Sequence, residues 1–385
     1  MTTDSIDEVL RGVRHNWEEL SAALFGRAVA LHGTPIVTEI RHKVVAAATA
    51  GLWRVSGSAG TDSQMEFTLV VKRLRPAINE YERWRVSEEE SHPFFWAREA
   101  LAYREGFFGN DDTCVRSAKC YLIDESGPGS TLYLEDVQAR PGSSWALNEY
   151  LIAASQLAEY QGGSPIPHDG AITTLLAPNA FFYEYLARRS ALMDEALEIM
   201  ESPPPRLERE GLGEFREPAR AVWLRRGELL KEFAKAPLVR SHFDFRGPNL
   251  FLDDKARQLI AVDLAFAGIG SMGHDAANLV ADDVADFFIR AEDADIAWQN
   301  ISAAYLQAAS GHVTAEELER VCLAMQITVA LKYAWLLPAT FQAARSTSAL
   351  EALKNRHGDL DEFFRKRSAS LRFIGQFLAL CAVLS

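Results

Sequence analysis

The sequence predicts an α+β protein built from two unlike lobes, the first rich in β-strand and the second mainly helical. Three observations carry this. Short runs containing Val, Ile, Thr and Trp crowd the first third of the chain, helical periodicity takes over after Val137, and a β-like island, Leu238 to Phe266, interrupts the helices. The 385 residues suffice for two to three domains of about 150 residues or for one large two-part domain. The change of character sets a boundary near Val137, giving lobes 1–137 and 138–385.

Taken in order, strands are expected at Thr38–Ala48, Leu52–Ser56 and Phe67–Leu74, the last two separated by the turn-forming cluster Gly57 to Asp62. A helix is expected over Pro93–Phe107, with Ser91 as its cap and Pro93 in its first turn. Two further strands, Lys119–Asp124 and Thr131–Val137, flank the turn Glu125 to Gly129. Helical periodicity then marks Ser144–Tyr160, Ala180–Met200 and Glu214–Phe233, with Pro203, Pro204 and Pro205 breaking the second from the third. From Asp275 the chain reads as helix almost to its end, and no repeat of 20–50 residues is present.

Composition narrows the function. Hydrophobic residues at 48% and charged residues at 24% describe a soluble globular chain with a large core. Forty Lys and Arg against 53 Asp and Glu leave a net charge of −13, which argues against a nucleic-acid binder. Cys114, Cys120, Cys322 and Cys381 form no CxxC pair and have no His at zinc spacing, so they read as reduced thiols of a cytoplasmic protein. Acidic residues from Asp4 to Glu19 rule out a basic, then apolar, leader. The apolar stretch Val321–Phe341 is interrupted by Lys332 and Phe373–Ser385 is too short to span a bilayer, so no membrane partner is expected. The oligomeric state is not readable.

The island carries the chemistry. His242-Phe243-Asp244, then Asn249, then Asp263 at the end of an apolar strand, form a His-x-Asp-x-x-x-x-Asn pattern followed by Val-Asp. Phosphoryl transfer needs a carboxylate to receive the proton of the attacking hydroxyl, and oxygen ligands to hold Mg²⁺ against nucleotide phosphates. Asn249 and Asp263, at the ends of strands Leu250–Leu252 and Leu259–Val262, can converge on one cation. Asp253 and Asp254 start the turn between those strands.

On these residues the chain resembles the aminoglycoside phosphotransferase and choline kinase group, small-molecule kinases of protein-kinase-like fold. The resemblance implies a bilobal kinase-like architecture, Asp244 as catalytic base, Asn249 and Asp263 as metal ligands, and His242 as support of the loop. It also implies that Asp275, twelve residues after Asp263, braces that loop from the start of the next helix. Two departures stand out. Phe243 occupies a position where the group usually has Gly, and Asp263-Leu264-Ala265 replaces Asp-Phe-Gly with no Ala-Pro-Glu after it, which argues against a protein kinase. Arg246 is either a cation for the transferring phosphoryl or an ordinary surface arginine.

The first lobe supplies matching parts. Lys72 ends the apolar strand Val70 to Leu74, the setting for a cation that meets the α/β-phosphates. Glu99 shares a helix face with Phe95, Ala102, Tyr103 and Gly106, where a carboxylate needs a partner; Lys72 is the first choice and Glu105 the weaker alternative for pairing. Thr131–Val137 resembles the group's hinge, which implies adenine contacts to the backbone of Glu135 and Val137 with Leu134 behind the base. The phosphate loop is the poorest match: Ala46 to Leu52 holds one glycine.

The reading is a Mg²⁺-dependent kinase that passes the γ-phosphoryl of ATP, or GTP since hinge contacts are backbone, to a hydroxyl of a small molecule. The resemblance suggests an antibiotic acceptor; a metabolic amino-alcohol or sugar kinase is the alternative, and a nucleotide-binding pseudokinase the second. Asp282 and Asp286, with Leu279 between them on one helix face, would give a site for a cationic acceptor. A solvated charged face made of Asp282, Asp283 and Asp286 explains the same residues and is the simpler account. His15, His32, His42, His92, His168, His312 and His357 have no ligand spacing.

Overall fold

The computed structural model describes residues 4–40, 48–60, 65–76, 85–109, 112–164, 166, 170–199, 205–253, 255 and 257–384. Ala46 and Ala47 of the expected phosphate loop lie outside them, as do Asp62, Pro203, Pro204, Asp254, His42, His168 and Met200. The chain begins with two helices that periodicity had not marked, α1 (Asp4–His15) and α2 (Trp17–Phe25). Val9, Val13, Trp17 and Leu20 are buried against the sheet that follows. Gly26, at φ 72° in the left-handed region, ends α2.

The first sheet runs β1 (Leu31–Glu39), β2 (Thr49–Ala59), β3 (Met65–Leu74), with α3 (Arg98–Arg104) and β4 (Val115–Ser117) preceding β5 (Cys120–Asp124) and β6 (Ser130–Glu135). Five of these strands pair antiparallel in the order β1-β2-β3-β6-β5. On β3 the period of two does the positioning. Phe67, Leu69 and Val71 point at α1 and α2, so Val70, Lys72 and Leu74 point the other way, toward the second lobe.

Two expected elements differ. The first described strand lies at Leu31–Glu39, meeting the expected Thr38–Ala48 only at Thr38 and Glu39, and residues 41–47 of that expectation lie outside the described residues; the register of β1 breaks between His32 and Ile36, which spoils the alternation that would reveal it. The helix expected over Pro93–Phe107 is only Arg98–Arg104, so neither Ser91 nor Pro93 starts it. Ser87 bridges to Phe95, and the Arg98 guanidinium donates to the carbonyls of Glu90 (2.9 Å) and His92 (2.8 Å), holding the preceding residues in turns. Gly106, at φ 56°, follows the helix end.

The second part contains β7 (Arg140–Pro141), α4 (Leu147–Gly163), α5 (Ala171–Leu175), α6 (Ala180–Ile199), α7 (Pro205–Arg209), α8 (Arg216–Leu224) and α9 (Arg226–Phe233). The single helix expected over Glu214–Phe233 is thus divided at Arg225, whose ψ of 9° leaves the helical range. The island supplies β8 (Leu238–Ser241), β9 (Leu250–Asp253), β10 (Gln258–Ala261) and β11 (Gly268–Ser271). Helices α10 (His274–Ala285), α11 (Ala294–Ala309), α12 (Ala315–Tyr333), α13 (Leu336–Arg345), α14 (Thr347–His357) and α15 (Leu360–Ala382) complete the chain. β9 and β10 form an antiparallel hairpin with β4 parallel to β10 and β7 beside β9, while β8 pairs with β11. The stretch Ala315–Arg345 is long and apolar enough to cross a bilayer, but 78% of its most apolar window is buried in this fold.

Trp17 ties the N-terminal helices to the sheet: its ring sits 4.8 Å from Phe67 and its Nε1–H donates to Val29 O at 2.7 Å. Trp17→Ala is expected to cost about 3–5 kcal/mol through the cavity and the orphaned carbonyl. Chemical denaturation followed by circular dichroism reads that loss.

Candidate active site

The loop from His242 to Asn249 joins β8 to β9, and α10 holds it by its backbone. Asp275, fully buried on α10, accepts the N–H of His242 (2.8 Å) on one oxygen and of Phe243 (2.9 Å) on the other. Burial opposes ionisation of Asp275, yet His274 and His242 beside it hold the carboxyl below its ordinary value. His242 is buried and uses both ring nitrogens: Nδ1 accepts the Asp244 N–H at 3.3 Å, so Nε2 carries the hydrogen toward Val262 O at 3.0 Å. Further along the loop, the Asn278 side chain donates to Phe245 O (3.1 Å) and Asp283 accepts the Gly247 N–H (3.0 Å).

Phe243 adopts φ 63°, in the left-handed region that favours glycine. Such a conformation costs an aromatic residue on the order of 1–2 kcal/mol. Burial offsets it: the ring is 1% exposed and lies 4.9 Å from His274 and 5.2 Å from Phe181. Room for it exists because β11 carries Gly270, where a Cβ would come within 2.7 Å of the Phe243 ring and 2.6 Å of Ser241 Oγ.

Asp244, Asn249 and Asp263 lie at one end of the β9–β10 hairpin. Asn249 precedes β9 and Asp263 follows β10, and Val262 N–H donates to Asn249 O at 2.9 Å. The Asn249 amide donates to Asp244 Oδ2 (2.8 Å) and Asp244 O (3.0 Å), which leaves its Oδ1 as the oxygen directed elsewhere. Burial pushes the Asp244 carboxyl above its ordinary value; Arg246 and Lys332 oppose this, while Asp282 and Asp263 add to it. Asp263, at φ 64°, has its carboxylate about one-third exposed. Asn249 Oδ1 and that carboxylate are hard oxygen donors, a set that suits Mg²⁺ completed by water and phosphate oxygens.

The first lobe reaches the same point. Lys72 Nζ lies 2.5 Å from Glu99 Oε2 and 2.7 Å from Asp263 Oδ1, with Lys72 and Glu99 both buried. Burial opposes the ammonium, but the Asp263 and Glu99 carboxylates overcome it and hold Lys72 above its ordinary value. Burial raises Glu99 to about 7 against the pull of Lys72. Glu105 is not the partner: its carboxylate accepts the Ala171 N–H at the start of α5.

Other predicted residues are placed as follows. The Glu135 carboxylate is gripped by both ends of the Arg116 guanidinium (2.6 and 2.9 Å), and its N–H donates to Lys119 O at 2.8 Å. Leu134 is buried and Val137 partly exposed, with Asp136 between them bound by Arg54 at 2.8 Å. Arg246 pairs with Asp286 at 2.5 Å, and Asp282 lies 3.8 Å from Lys332. Asp283 departs from the solvated-face account: it is fully buried, accepts the Tyr150 hydroxyl at 2.7 Å, and burial raises its carboxyl to about 7. Asp283 points about 100° away from Asp282 on the helix, so periodicity separates the two, but it does not say which of them turns to the core.

Gly142, between β7 and α4, abuts the loop backbone directly. A Cβ there would meet Gly247 O at 2.4 Å, and a Cβ on Gly247 would meet Asp283 Oδ2 at 2.6 Å. Lys332, Asn278 and Tyr150 were not singled out by sequence. The one available signal was a lone lysine inside the apolar run of α12.

Comparison with known proteins gives one family. The model described as "Phosphotransferase enzyme family" (APH) matches residues 118–317. No curated protein matches the chain. Among solved structures, an amicoumacin kinase in complex with AMP-PNP and Ca²⁺ is 14% identical, covers 94% of this chain and 96% of its own, and has a TM-score of 0.45. A choline/ethanolamine kinase family protein from Mesorhizobium loti is 15% identical, with coverage of 94% and 99% and a TM-score of 0.41. An aminoglycoside phosphotransferase from Streptomyces rimosus, solved with ADP and streptomycin, is 15% identical, with coverage of 85% and 99% and a TM-score of 0.44.

Gly270→Ala is expected to cost about 1–3 kcal/mol by forcing the Ser241 hydroxyl and the Phe243 ring to shift. On a Phe243→Ala background the same change should cost less, because its methyl no longer meets the ring. Urea titrations of the two single variants and the double variant measure the difference; equal costs on both backgrounds would show that the ring is not what Gly270 accommodates.

Proposed function

The chain belongs to the phosphotransferase enzyme family, a small-molecule kinase, and from that membership we propose that it transfers the γ-phosphoryl of ATP or GTP, with Mg²⁺, to a hydroxyl group. The observation that carries the residue assignment is the meeting of Lys72, Glu99 and Asp263 across the two lobes beside Asp244 and Asn249. In this reading residues 1–137 bind the nucleotide and 138–385 bring the acceptor. Asp244 takes the hydroxyl proton as the oxygen attacks the γ-phosphorus and the bond to the nucleoside diphosphate breaks. Asn249 oriented against Asp244 fits a base whose direction must be fixed.

Asn249 Oδ1 and the Asp263 carboxylate would hold Mg²⁺, which when bound neutralises charge on the phosphate oxygens. Lys72, kept charged by two carboxylates, is suited to the α/β-phosphates, and Glu99 aims it. The carbonyl of Glu135 and the backbone of Val137 are assigned to adenine. His242 and Asp275 act through the loop and touch no reactant. Arg246, anchored by Asp286, is assigned to the charge on the transferring phosphoryl.

Asp282 is 17% exposed beside the loop, and with Asp244 it favours a cationic acceptor. Asp286, paired with Arg246, serves that site by holding Arg246. We propose an aminoglycoside or another sugar- or nucleoside-containing antibiotic; the same carboxylate favours a metabolic amino alcohol as the second reading. Nucleotide consumption across aminoglycosides, nucleoside antibiotics, macrolides, choline and simple sugars separates them.

With the acceptor that screen identifies, Asp244→Asn should lower transfer by about 10²–10⁴-fold while nucleotide affinity changes little. Near-parental turnover would remove Asp244 from the role of base. Lys72→Met and Glu99→Gln should each lower kcat/KM by roughly 10²-fold, and the double variant should lose far less than the product of the two. Independent, multiplicative losses would mean the pair does not act as a unit.

A further inference from the structure

We infer that Lys332 is a positioning residue for the transfer: with Asn278 it clamps the carbonyls on either side of Asp244 and so fixes where that carboxylate points. The inference rests on the reading of Asp244 as base. Lys332 lies in the last turn of α12, is 4% exposed, and donates to Phe243 O at 3.1 Å and to Asn278 Oδ1. The other end of the Asn278 amide donates to Phe245 O at 3.1 Å, and the Tyr333 hydroxyl donates to Asn278 Oδ1 at 2.8 Å.

Peptide units are planar, so fixing their oxygens and hydrogens fixes the chain between them. The unit joining residues 243 and 244 is held at its oxygen by Lys332 and at its N–H by His242 Nδ1. The next unit is held at Asp244 O by Asn249, and the one after at Phe245 O by Asn278. Three consecutive planes around Asp244 therefore have assigned partners, and Lys332 is the cation among them. A core lysine is costly to desolvate, and packing alone would be met as well by an apolar residue of the same length.

Lys332→Met is therefore expected to lower kcat by about 10–100-fold and leave the nucleotide KM within about twofold. Asn278→Asp serves if that variant does not fold, since it is isosteric and keeps a partner for Lys332 while removing the donor to Phe245 O, and the same loss of kcat with an unmoved nucleotide KM is expected. If Asp244→Asn leaves turnover intact while Lys332→Met still lowers kcat alone, the reading of Asp244 fails and the clamp stands. A lowered melting temperature with unchanged kcat would reduce Lys332 to a packing residue and overturn the inference.

Discussion

Two backbone N–H groups, from His242 and Phe243, end on the two oxygens of one buried carboxylate, Asp275, and the shape of the site depends on that arrangement. A loop of this kind cannot satisfy its amides with a neighbouring strand, and buried amides left alone would cost more than the loop's packing returns. Helix α10 solves the problem with a series of polar side chains, Asp275, Asn278 and Asp283, each taking a different residue of the loop. The helix thus reads out the loop as a template does. That is why fully buried charge on α10 is tolerated where the rest of its surface is apolar.

The two lobes are joined by charge at the point where they must cooperate. Lys72 has no apolar alternative: with Glu99 buried beside it, removing either leaves an uncompensated ion, a loss typically of about 3–5 kcal/mol for buried pairs. Its bond to Asp263 connects strand β3 of the first sheet to the end of the β9–β10 hairpin.

What was legible in the sequence was chemistry at fixed spacing. Asp244, Asn249 and Asp263 stand out because their residue types at that spacing suit phosphoryl transfer, Asp275 only through the resemblance to the kinase group, and Glu99 because a carboxylate on an apolar face needs a partner. The lobes of unlike composition were legible for a similar reason, since periods of two and 3.6 differ over any window of a dozen residues. What escaped was decided by distant contacts. Residues 93–97 offer a start signal and apolar spacing that suit a helix but are held in turns by Arg98 and by the bridge from Ser87 to Phe95. Asp283 resembles its solvated neighbours until Tyr150, far away in sequence, meets it. Lys332 looked like an interruption because its partners lie on the loop and on α10, both well before it in the chain.

The contact between Gly142 and Gly247 has a mechanical consequence. Side chains usually cushion the meeting of two chain segments, and a change of rotamer absorbs small displacements. Here backbone rests on backbone, with Asp283 wedged behind Gly247, so there is nothing soft to compress. The segment entering α4 and the loop after Asp244 are therefore set at a spacing fixed by two main chains, and a side chain at either glycine would have to push the loop off its seat on Asp283.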